Sequence, residues 1–220
     1  MIIERVISLV IGYVFGLLET GFIYGKIKNV DIRKHGSGNA GTTNALRTLG
    51  AKAGVITFIG DFFKAIIALW VISLIYGNAG HEAVFTYQMY AGLGVILGHV
   101  FPFYLKFKGG KGIASTAGVM MMINPIAACI ALGTFLIIAL GTRYVSVASL
   151  IAIVLVTGLE IGFGQFGLLG VSGNALIENY VLMIIIAAIA ILKHKTNIVR
   201  LIHHEENKLD FKKKPEVTKE

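Results

Sequence analysis

Three polar segments in an otherwise apolar chain carry residue types that grip phosphate. In the first, residues 36–47, Gly36, Gly38 and Gly41 alternate with Ser37, Asn39, Thr42, Thr43 and Asn44, and Arg47 closes the run. Successive backbone N–H groups in glycine-rich turns form a concave anion site, and a guanidinium adds a bidentate fork of donors. In the second, residues 106–112, Lys108 and Lys111 supply charge while Gly109 and Gly110 let backbone approach a ligand. Gly112 leads into an apolar run, so a helix N-terminus adds to the pull of Lys111 on an anion. The P-loop is a different pattern, a glycine and then four residues before Gly-Lys-Ser/Thr. In the third segment His194, Asn197 and Arg200 are spaced three apart, which gives them a shared helix face. An imidazole there orients a hydroxyl or shuttles a proton, and an amide donates and accepts at once. Taken singly, each segment also reads as something plainer. The first can be a solvated loop with Thr42 or Thr43 as helix cap, the second a basic loop, the third a juxtamembrane helix.

The elements that must position these residues are transmembrane helices. The 220 residues are 55% hydrophobic and 15% charged, against about 25% charged in soluble domains. A span needs about 20 mostly apolar residues. Candidates run over 3–24, 53–76, 85–105, 126–140, 145–164 and 177–192. A short apolar run, 113–123, is followed by a turn at Asn124-Pro125, because proline disfavours helix at the residue before it. Counting it gives seven spans. Loop charge supports that number: with the N-terminus outside, only Arg5 and Lys64 of the 20 basic residues fall away from one face. The positive-inside rule makes that face cytoplasmic, together with the C-terminus and all three polar segments. The expected class is therefore an all-α integral membrane protein, multi-pass in the cytoplasmic membrane.

Other features narrow the chemistry. The net charge of +8 is scattered between spans, which favours membrane lipids and anionic substrates over nucleic acid. Cys129, the one cysteine, lies in an apolar run and rules out a disulfide within the chain. His203-His204-Glu205 is a poor metal site, because adjacent helical residues diverge, and no metal is expected. His99 reads as a structural histidine. Asp61 and Lys64, three apart inside a span, pair in the bundle interior or else contribute to the floor of the site.

In order and spacing, the stretches Gly36–Arg47, Gly98-His99 through Phe101-Pro102, Phe107–Gly112 and His194–Arg200, with Asp61-Phe62-Phe63-Lys64, resemble the bacterial acyl-phosphate:glycerol-3-phosphate acyltransferases. The resemblance runs from the first span to about Glu206. It implies seven spans, an extracytoplasmic N-terminus, and acyl transfer from acyl phosphate to the 1-hydroxyl of sn-glycerol 3-phosphate. That reaction releases lysophosphatidate and phosphate and opens bacterial phospholipid synthesis. By motif, Ser37, Arg47, Lys111, His194 and Asn197 match the active-site positions. Gly36, Gly38, Asn39, Gly41, Thr43, Asn44, Lys108, Gly109, Gly110, Gly112 and Arg200 are the expected substrate-binding residues. Two positions depart from the pattern: His204 stands where the family usually has glycine, and Gly16 is followed by Leu17 rather than serine. Residues 1–206 would form the acyltransferase domain, and residues 207–220 a charged cytoplasmic tail. An acyl phosphate is already activated, so no cofactor and no covalent enzyme nucleophile is expected. The chain has no Gly-x-Ser-x-Gly elbow and no loop cysteine. The fatty chain would lie between spans near Met120, Met121 and Met122.

Overall fold

The computed structural model describes residues 1–209 as ten α-helices, with no strand among the described residues. They are α1 (Ile2–Gly16), α2 (Thr20–Ile27), α3 (Thr42–Leu49), α4 (Ala51–Tyr76), α5 (His81–Val100), α6 (Ile113–Ile123), α7 (Pro125–Thr142), α8 (Val145–Gln165), α9 (Gly173–Lys193) and α10 (Lys195–Ile202). Six stretches are long and apolar enough to cross a membrane: Ile2–Ile27, Ala51–Ala79, His81–Leu105, Pro125–Thr142, Val145–Gln165 and Gly173–Lys193. The remaining apolar helix, α6, has 11 residues and rises about 17 Å, against a hydrocarbon core of about 30 Å.

The first expected span is not one continuous helix. α1 stops at Gly16 and α2 starts at Thr20 because Glu19 turns inward and is fully buried. Breaking a helix inside a bundle frees carbonyls that need new donors. Here Lys64 Nζ donates to Gly16 O (3.2 Å) and Leu18 O (2.7 Å), and Tyr104 Oη donates to Leu17 O at 2.7 Å.

α1 makes its most extensive contact with α5. Gly12 and Gly16 face Gly94 and Gly98, and the backbones touch. A Cβ at Gly12 would overlap the Ala91 carbonyl, and one at Gly98 the Tyr13 carbonyl. Small residues four apart serve this close approach where lipid offers no hydrophobic drive. α5 is buried nearly throughout and carries Met89, Leu93 and Ile96 into a core shared with Ile153, Met183 and Ile186 of α8 and α9. Outward residues such as Val14, Leu74, Ile137 and Leu192 are large, apolar and exposed, as a lipid-facing surface requires.

α6 and α7 meet at the expected Asn124-Pro125 turn, with proline at the first helical position of α7. Asn124 Oδ1 caps α7 by accepting from Ala127 N (3.1 Å), while its Nδ2 donates to Glu160 Oε2 (2.9 Å) on α8. At the other end of the bundle residues 207–209 are docked, not loose: Leu209 is buried and its N–H donates to Arg143 O at 2.7 Å. The rest of the expected tail, 210–220, lies outside the described residues.

Candidate active site

Three loops converge at one end of the bundle, each held by its own buried polar side chain. The loop before α3 reverses at Gly36 (φ +58°) and Gly38 (φ +71°), a region open to glycine and strained for other residues. Asn44, 2% exposed, organises it. Its Nδ2 reaches Ile32 O (2.7 Å), Asn39 O (2.8 Å) and His35 O (3.1 Å), and its Oδ1 accepts from Ser37 N (2.8 Å) and Ser37 Oγ (3.2 Å). The Asn44 amide is thus committed to the loop, although the side chain borders the site.

The loop before α6 is held differently from the sequence reading. Gly110 N donates to His99 O (3.0 Å), and a Cβ on Gly110 would overlap the His99 ring. A Cβ on Gly109 would overlap the His99 carbonyl. These glycines make room for His99 at the end of α5. Asn39 Nδ2 donates to Gly109 O at 3.4 Å and ties the first loop to the second.

At the third segment α9 ends on Lys193, and His194 turns into the protein at 2% exposure. His194 Nδ1 lies 2.7 Å from Ala190 O; a carbonyl only accepts, so the proton sits on Nδ1 and Nε2 is left as an acceptor. Burial, reinforced by the Lys111 charge, pushes the His194 pKa down to about 4. Lys111 Nζ donates to Asn197 Oδ1. The Asn197 Nδ2 donates to Glu206 Oε1 (2.7 Å), which also accepts from Ser146 Oγ (3.1 Å), while Arg200 Nε donates to Glu206 Oε2 at 2.8 Å. Burial lowers the Lys111 ammonium to about 8; Glu206 opposes this, and Arg200 and Arg47 add to it. Burial alone would raise Glu206, but the hydrogen bonds from Arg200, Asn197 and Ser146 outweigh it and hold the carboxylate below its usual range.

Ser37, Asn39, Gly41, Thr43, Asn44, Arg47, Lys111, Gly112, His194 and Asn197 all line one cavity of about 200 Å³. Gly36, Gly38, Lys108, Gly109, Gly110 and Arg200 do not; they shape or flank it. Thr42 of the first segment also lines it, as do Glu206, Ser146 and Thr116, which sequence reasoning did not select. The hydroxyls of Thr42 and Thr116 are buried without a hydrogen-bond partner among the described residues. From this polar mouth the cavity continues between α6, α7 and α8 over Met120, Ala128, Ala131, Phe135, Ile153 and Val156. Met121 and Met122 are not on its wall.

Beneath the mouth lies a buried charge cluster. Lys64 Nζ is 3.1 Å from Asp61 Oδ1 and 2.9 Å from His99 Nδ1, which is 3.1 Å from Glu19 Oε1. Thr20 Oγ1 donates to Asp61 Oδ1 at 3.0 Å. Asp61 and Lys64 pair as expected, and Asp61 and His99, but not Lys64, also belong to the cavity wall. Among the described residues, no three His, Cys, Asp or Glu stand together to hold a metal ion.

A family model described as glycerol-3-phosphate acyltransferase matches residues 6–204. The chain belongs to the glycerol-3-phosphate acyltransferase family. Curated members include one from Thermosipho melanesiensis, 38% identical over 94% of both chains, and one from Staphylococcus aureus, 35% identical over 94% of this chain and 98% of that protein. Crystal structures of PlsY, an integral membrane glycerol 3-phosphate acyltransferase, superpose on this acyltransferase fold. Its glycerol 3-phosphate form gives a TM-score of 0.79 at 32% identity, covering 94% of this chain and 96% of that one. The lysophosphatidic acid form gives 0.77 at 31% identity. The protein is an all-helical, multi-pass integral membrane acyltransferase.

Proposed function

We propose that the protein transfers a fatty acyl group from acyl phosphate to the 1-hydroxyl of sn-glycerol 3-phosphate, at the cytoplasmic face of a bacterial inner membrane. The observation that carries this reading is a single cavity with two chemistries. Its mouth holds Arg47 and Lys111 among amides and hydroxyls, and its depth is an apolar groove between helices. A phosphorylated head and a fatty chain match those two regions. The product named for one PlsY structure, lysophosphatidic acid, has the same polar and apolar halves.

Arg47 and Lys111 hold the two phosphates and stabilise the charge that develops on the reacting groups. Asn197 orients Lys111 and is itself fixed by Glu206. His194, with a pKa of about 4, is too weak a base to take a hydroxyl proton near neutrality; its Nε2 accepts the hydroxyl hydrogen bond and aims the oxygen. The glycerol oxygen attacks the acyl carbonyl carbon, the carbonyl carbon–phosphate oxygen bond breaks, and the departing phosphate takes the proton. Ser37 Oγ donates to an amide oxygen, which cannot relieve it of a proton, and this supports direct attack over a Ser37 acyl intermediate.

The α6–α7 pair leaves and returns to the same end, since Lys111 before α6 and Ser146 after α7 reach one cavity. This return, together with the loop charge, supports the seven-span count in which the N-terminus is outside and the C-terminus and site are inside. The test is phosphate release by purified, detergent-solubilised protein given palmitoyl phosphate and glycerol 3-phosphate, without metal or CoA. Release that requires glycerol 3-phosphate, matched by lysophosphatidate, is expected; release independent of the acceptor sinks the reading.

A further inference from the structure

We infer that Met120, Ala128 and Val156 form the end wall that sets acyl-chain length, backed by a buried polar lock of Glu160 with Asn124 and Asn179. The inference rests on the acyltransferase reading above and goes beyond it to donor selection. The groove descends from Lys111 and Ser146, and the deepest wall residue on each helix is Met120 on α6, Ala128 on α7 and Val156 on α8. One helical turn deeper, Asn124 follows Met120 and Glu160 follows Val156. These two residues are joined to each other, not open to the groove. Glu160 is fully buried, with Oε2 accepting from Asn124 Nδ2 (2.9 Å) and Oε1 from Asn179 Nδ2 on α9 (3.0 Å). Asn124 is at the same time the cap of α7.

A terminal methyl that pushed past Val156 would have to break both hydrogen bonds to a fully buried carboxylate and leave it unpaired. The lock therefore stops the groove, and the volumes of the three residues above it decide where the chain ends. Small alanines at Ala128 and Ala131 leave room, whereas Met120, 1% exposed, fills the deepest space with a flexible side chain.

The experiment compares lauroyl, myristoyl, palmitoyl and stearoyl phosphate on the full-length protein, and reads the ratio of kcat/KM for stearoyl over lauroyl phosphate. Ala128→Leu is expected to lower that ratio by roughly ten- to a hundredfold, the discrimination a few methylenes give in an apolar pocket. Val156→Ala is expected to raise it. The two variants change volume in opposite senses, so loss of one to misfolding leaves the other as the test. Ratios equal to wild type in either folded variant overturn the inference and mean that the chain leaves sideways into lipid. No turnover of any acyl phosphate by the wild type would instead overturn the acyl-phosphate reading itself.

Discussion

The two sides of this bundle use small residues for opposite ends. Between α1 and α5, glycines Gly12, Gly16, Gly94 and Gly98 bring backbones into contact and leave no space. Between α6, α7 and α8, alanines Ala128, Ala131 and Ala152 line the groove. A glycine pair makes a rigid seam; an alanine wall beside Met120 and Phe135 makes a container. Rigidity and vacancy thus come from a difference of one methyl group per position. The Glu19–Asp61–Lys64–His99 cluster lies where the two sides meet. It touches the seam through the Gly16 carbonyl and the cavity through Asp61 and His99.

Removing Lys64 should therefore damage both sides and have the largest effect. Lys64→Ala leaves Asp61 buried without its cation and strips donors from Gly16 O and Leu18 O. Breaking a buried pair costs about 3–5 kcal/mol. Loss of the monodisperse folded protein on size exclusion is the expected outcome. Replacing both partners, Asp61→Leu with Lys64→Met, should restore much of the melting temperature; a double variant as unstable as the single one would show that the ammonium is needed for the helix break itself.

Lys111→Ala separates the two sides. It should cut kcat/KM by roughly a hundred- to a thousandfold, the usual loss on removing one charge-stabilising donor, with thermal stability near that of the wild type. Its pH dependence sharpens the point. The ammonium is present below a pKa of about 8 and lost as pH rises through it, so kcat/KM should fall about tenfold per pH unit above that value. Lys111→Arg, which stays charged, should abolish that limb whatever its absolute rate. A limb that persists in Lys111→Arg would place the titration elsewhere.

Six spans and the three site segments were legible because each is a run with its own signature: apolar length for the spans, glycine with basic residues for the first two segments, and His194, Asn197 and Arg200 at a spacing of three for the third. The break after Gly16 was not, because it needs Lys64 and Tyr104, which are more than 40 positions away. Glu206 was missed for a related reason. Its role comes from Asn197, Arg200 and Ser146, and only the first two are near in sequence. The approach of Gly109 and Gly110 to His99 was not legible, because glycine signals close approach without saying to what. The Gly12/Gly16 and Gly94/Gly98 spacings stood in plain view as a helix-packing pattern, and reading them would have placed α1 against α5.

The seam can be broken alone. Gly98→Ala pushes a Cβ into the Tyr13 carbonyl and the Gly16 backbone, neither of which is the end of a flexible side chain. Overpacking of this kind costs about 1–3 kcal/mol. A lower melting temperature is expected, with the stearoyl-to-lauroyl ratio unchanged at temperatures where the protein remains folded. A shifted ratio would mean that the seam and the groove are mechanically linked.

The smallest effect concerns His204. α10 ends in a turn in which Glu205 N donates to Arg200 O (2.8 Å) and His204 N to Leu201 O (3.2 Å), the hydrogen-bond pattern of a Schellman motif. That motif requires positive φ at its second bond, and His204 adopts φ +58°. A non-glycine residue pays about 1–2 kcal/mol for this conformation, and the turn is what returns Glu206 to Asn197. His204→Gly should relieve the strain, partly offset by the greater freedom of glycine in the unfolded chain, and raise thermal stability slightly. Activity should hold, because the turn and its hydrogen bonds do not use the imidazole. If His204→Gly lowers activity while stabilising the fold, the side chain contributes to the cavity side of the molecule in a way that its backbone role does not explain.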